Sequence, residues 1–80
     1  MILPNPAHDY FIVSYTVPQV IKEAYLLINS VNGQFVQRIE LNRPQDEFVV
    51  NTENVKTGSY VVSLIVNGRS LETAKVIIIK

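Results

Sequence analysis

Gly58-Ser59-Tyr60-Val61-Val62-Ser63-Leu64-Ile65-Val66-Asn67-Gly68 decides how this chain folds. From Tyr60 to Val66 every residue except Ser63 is apolar, and most are β-branched or aromatic. A run of that length between glycines reads as the most apolar strand, and so as a central strand. Asn67-Gly68 follows at once, a pair that tolerates positive φ at both central positions of a tight hairpin. Leu71 to Ile79 then reads as the returning, final strand.

Working back toward the start, the same grammar repeats. Phe48 and Val50 mark a strand, followed by a turn region at Asn51-Thr52-Glu53-Asn54 and preceded by the polar loop Arg43-Pro44-Gln45-Asp46. Ala24 to Ser30 and Phe35 to Leu41 flank a second Asn-Gly pair, Asn32-Gly33. Val36 is out of phase with Ile39 and Leu41, which predicts a bulge there. Between Asp9 and Val17, Phe11, Val13, Tyr15 and Val17 alternate against Tyr10, Ile12, Ser14 and Thr16, and Pro18 ends that strand. Ile2-Leu3 adds a short seventh. The weaker reading of Val20 to Leu27 is a helical turn around Lys22, Glu23 and Ala24. Strands at intervals of roughly 10–14 residues, without a helical period, are the pattern of an antiparallel β-sandwich. Its expected core is Phe11, Val13, Leu26, Ile28, Val50, Tyr60, Val62 and Leu64.

Composition narrows the function. Among 80 residues there are 12 valines, 9 isoleucines and 4 threonines, an excess that favours strands. A hydrophobic share of 48% against 18% charged excludes disorder. Zero net charge argues against nucleic acid and anionic membrane as partners. No cysteine is present, and His8 is the single histidine, so neither a thiolate metal site nor a histidine triad is expected. Adjacent strand residues face opposite ways, so His8-Asp9 is read as a solvated turn rather than a ligand pair. Asp46-Glu47 and Glu53 lack the spacing of a calcium loop. No enzyme, cofactor or metal is therefore expected. Met1 precedes Ile2-Leu3-Pro4 with neither a basic nor an apolar leader, so no signal peptide is read. Val76 to Ile79 is far short of the about 20 residues a membrane helix needs.

Both chain ends resemble one family. Pro4-Asn5-Pro6-Ala7-His8-Asp9-Tyr10-Phe11 is similar to the Y-P-N-P-A-x-D-x-L opening of type IX (Por) secretion system C-terminal sorting domains, type A. Ser30-Val31-Asn32-Gly33-Gln34-Phe35-Val36 resembles their D-x-x-G-R-x-V segment, and Val50 to Tyr60 their I-D-x-S-x-L-P-x-G-x-Y segment. Lys75-Val76-Ile77-Ile78-Ile79-Lys80 resembles their basic-flanked aliphatic terminus. Ser30, Gln34 and Lys56 depart from the acidic, basic and proline residues frequent at those places.

The resemblance implies an immunoglobulin-like antiparallel β-sandwich of six to seven strands over residues 1–80, a single domain excised from a larger secreted protein. It implies a non-catalytic signal, recognised by type IX translocon and sortase proteins at the outer membrane of Bacteroidetes-type bacteria. The cargo then reaches the cell surface through the periplasm. Candidate docking residues are Lys75, Val76, Ile77, Ile78, Ile79 and Lys80, with Pro4, Asn5 and Pro6. Ile77 and Ile79 are expected to face outward as apolar surface. Asn32, Gly33, Gly58, Tyr60, Asn67 and Gly68 are structural, and Gly58-x-Tyr60 predicts a tyrosine corner. The alternative is an immunoglobulin-like or fibronectin-like spacer or carbohydrate-binding accessory domain. Unpaired sheet edges leave the oligomeric state open.

Overall fold

A computed structural model describes residues 2–3, 5–17, 23–42 and 45–80. Met1, Pro4, Pro18, Val20, Ile21, Lys22, Arg43 and Pro44, which entered the sequence reading, lie outside them. Seven strands run in order β1 (Ile2–Leu3), β2 (Tyr10–Thr16), β3 (Ala24–Ser30), β4 (Phe35–Glu40), β5 (Gln45–Asn51), β6 (Gly58–Val66) and β7 (Arg69–Ile78). They form a three-stranded sheet, β1-β2-β5, and a four-stranded sheet, β4-β3-β6-β7. All pairings inside both sheets are antiparallel. The described residues contain no helix, and Ala24 to Leu27 are strand. The fold is an immunoglobulin-like β-sandwich.

Alternation places the core. Phe11, Val13, Tyr15 and Val50 face inward from one sheet, and Leu26, Ile28, Val62, Leu64, Val76 and Ile78 from the other. All eight expected core residues are buried. β6 lies inside its sheet, between β3 and β7, where its apolar run is covered on both flanks by ladder partners. The bulge falls at Val36: Asn29 stands opposite Phe35 while Ile28 stands opposite Gln37, leaving Val36 as the extra residue.

The two Asn-Gly pairs differ. Asn67 and Gly68 both take positive φ (51° and 83°), giving the tight turn expected of them between β6 and β7. At the other pair only Gly33 does (87°). There Gly33 donates to Ser30 O (2.9 Å), Ser30 donates to Gln34 O (2.8 Å), and the Ser30 hydroxyl accepts from the Gln34 amide (3.1 Å). A three-residue loop closed by a serine side chain replaces the two-residue turn, so Asn32 has no need of positive φ.

Candidate functional site

The terminal strand sorts its side chains by parity. Val76 and Ile78 are buried in the core, whereas Ile77 and Ile79 remain 42% and 41% exposed on the outer face of the four-stranded sheet. Register puts more apolar surface on that face. Ile77 stands opposite Ser59, which accepts a hydrogen bond from exposed Val31, and exposed Phe35 stands opposite Asn29 one row away. Sequence reading missed Val31 and Phe35, because their contribution depends on strands being adjacent in space.

β7 is the last strand of its sheet, yet its outer edge near the terminus is closed. Residues 5–8 run beside β7 in the parallel sense, with Ala7 bridged to Ile78. Ala7 donates to Ile77 O (2.7 Å) and accepts from the Ile79 amide (2.8 Å). One step earlier the Asn5 carboxamide does the same work. Its Nδ2 donates to Lys75 O (3.1 Å) and its Oδ1 accepts from the Ile77 amide (3.0 Å). Asn5 thus substitutes its side chain for a peptide unit in a parallel ladder. The reason is local: the following residue, Pro6, joined to it by a cis peptide, has no N–H to give. His8 Nδ1 lies 3.0 Å from Ile79 O, and since a carbonyl only accepts, that nitrogen is assigned the proton.

The same end of the sandwich gathers the loop between β5 and β6. Thr52 is fully buried, and its hydroxyl donates to His8 O (2.6 Å) while its amide donates to Asp9 O (3.0 Å). The Lys80 amide donates to the Thr57 hydroxyl (2.9 Å). Tyr60 donates to Lys56 O (2.6 Å), which is the tyrosine corner expected from Gly58-x-Tyr60. Residues 5–9, 51–60 and 75–80 therefore form one continuous structure. Asn5, Pro6 and Lys75 to Lys80 come together in it, while Asn32-Gly33 and Asn67-Gly68 serve hairpins. Thr52 was passed over because its burial follows from the approach of His8, 44 residues away.

Chemically reactive groups do not converge here. Among the described residues no three His, Asp or Glu side chains gather in metal-binding range. The clearest electrostatic feature lies elsewhere, on β3 and β4. Arg38 donates through Nε to Glu40 (2.7 Å), reaches Glu23 at 3.5 Å and covers the Tyr25 ring at 3.7 Å. The hydrogen bond to Glu40 leads in raising its pKa. No helix in the described residues is long and apolar enough to cross a membrane.

The convergence of these segments has a counterpart among known families. The model of the secretion system C-terminal sorting domain matches residues 1–80, the entire chain. The chain belongs to that family. No curated protein and no solved structure gives a match. As a sorting domain it is a C-terminal signal for type IX secretion, from a family that is non-catalytic, and such a signal implies interaction with the secretion machinery and a secreted or cell-surface destination. The sorting domain's departures from the family pattern leave its geometry intact. Ser30 supplies the acceptor an acidic side chain would supply, and Gln34 and Lys56 act in their turns through main-chain atoms.

Proposed function

We propose that residues 1–80 are a single sorting domain at the end of a larger secreted protein, and that type IX translocon and sortase proteins at the outer membrane recognise it. They carry the cargo through the periplasm and attach it to the cell surface, and the domain itself catalyses nothing. Docking uses the outer-face side chains Ile77 and Ile79, extended by Val31 and Phe35, with Lys75 and Lys80 flanking them. Asn5, Pro6 and Ala7 position the strand. The observation that carries this reading is the pairing of two exposed isoleucines with a closed strand edge. Main-chain addition of a partner strand along Ile77 and Ile79 has no amide left to use, so affinity must come from apolar side chains. The carbohydrate-binding alternative has less to work with, because Arg38 already covers the Tyr25 ring.

The test replaces Ile77 and Ile79 with threonine, which keeps β-propensity and leaves the core untouched. A reporter fused upstream of the I77T/I79T domain should accumulate in the periplasm of a type IX-competent cell, while the purified variant melts as the parent does. Normal export of that reporter assigns recognition to another surface. Failure of the unaltered domain to export the reporter defeats the sorting reading itself.

A further inference from the structure

Strand β4 ends the four-stranded sheet on the side opposite β7, and no described strand covers it. Leu41 donates to Ala24 O (3.0 Å), and Ile39 stands opposite Leu26. Residues 39 and 41 therefore turn their main-chain groups toward β3, and an antiparallel ladder makes the residues between and beside them turn away. Arg38 and Glu40 thus present N–H and C=O groups along the free edge, with their side chains on the outer face.

That edge is complementary to itself in one register only. A second copy added antiparallel must match outward residues with outward residues. A two-fold axis at Arg38 sets Arg38 against Arg38, and an axis at Glu40 sets Glu40 against Glu40. An axis at Ile39 instead sets Arg38 of each copy against Glu40 of the other, on both sides of the axis. Directly opposed like charges destabilise a strand pair and opposite charges stabilise it. We propose that β4 pairs with β4 of a second copy about an axis at Ile39, joining two four-stranded sheets into one.

Each Arg38–Glu40 pair then exchanges both main-chain hydrogen bonds, and the ion pair now held within one chain is shared across the junction. The bulge at Val36 limits the straight part of the edge to residues 37–41, so the contact is small and association is concentration-dependent. The axis is perpendicular to the sheet, so both copies keep their outer faces on one side. At about 4.8 Å per strand, the two β7 strands stand roughly 34 Å apart across the joined sheet, both presenting Ile77 and Ile79 in the same direction.

Charge exchange tests this in the purified chain, without reference to export. Sedimentation velocity at rising concentration should show a monomer–dimer equilibrium for the parent. R38E and E40R should each associate about tenfold more weakly, because each sets like charges face to face. Mixing R38E with E40R should restore dimers. In that mixed pair the introduced glutamate meets the introduced arginine on one side of the axis, and the native Glu40 meets the native Arg38 on the other. The same mixture shows that both variants fold. A parent that stays monomeric throughout overturns the proposal. Single variants that associate like the parent, or a mixture that stays monomeric, overturn it equally.

Discussion

The two long sides of this sandwich handle the same problem in opposite ways. On one side β1 and β7 are edge strands, and the chain closes the gap between them with its own residues 5–8. On the other side β4 and β5 are edge strands with no such cover among the described residues. They carry a bulge at Val36 and the charges of Arg38, Glu40, Asp46 and Glu47, devices that discourage indiscriminate strand addition. The lesson is that a hydrogen-bonded cover removes an edge from use, whereas a charged edge stays open to a partner whose charges match.

The difference can be pressed hardest in the core beneath the closed side. Ile78 is 1% exposed and lies directly behind the Ala7 bridge. Ile78→Ala should cost about 2–5 kcal/mol in urea unfolding, whereas Ile77→Thr on the same strand should cost far less. Equal losses would show that parity along β7 has been assigned wrongly.

Asn5→Ala should cost about 1–3 kcal/mol, because it strips partners from both Lys75 O and the Ile77 amide. Hydrogen exchange locates the effect. In the parent, the Ile77 and Ile79 amides should be protected and the Arg38 and Glu40 amides should exchange rapidly at concentrations that keep it monomeric. In the variant, Ile77 should join the fast group while β3 and β6 stay slow. Unchanged protection at Ile77 would mean that the cover does not depend on the carboxamide.

Thr52→Val keeps the shape and removes the hydroxyl that donates to His8 O, so a loss of about 1–2 kcal/mol is expected in the same assay. The smallest effect belongs to the open side. Arg38→Ala removes two solvent-exposed ion pairs and should leave the melting midpoint nearly unchanged, with little response to added salt. A large fall there would mean that the open side is as tightly built as the closed one.

Much of this arrangement was legible from residue order. Phe11, Val13, Leu26, Ile28 and Val62 declared their facing through alternation, since side chains in a strand repeat with period two whatever the strand pairs with. Asn67-Gly68 declared a hairpin, and Tyr60 two residues after Gly58 declared its corner. The out-of-phase Val36 declared a bulge. These are local signals, each readable within a dozen residues. The Asn32-Gly33 turn departed from expectation because Ser30 and Gln34 close the loop one residue wider, and the dipeptide alone does not report that competition.

By itself, then, the sequence determined six to seven strands, their inward faces, the outward set of Ile77 and Ile79, and membership in the sorting-domain family. Only the tertiary structure decided that Asn5 serves as a piece of strand for residues 70 and more positions away, that Thr52 is buried beneath His8, and which edges are closed. The reason is physical. Facing is set by the backbone's own two-residue repeat, whereas a hydrogen bond between distant segments exists only once the sheets have packed and fixed which edges lie side by side.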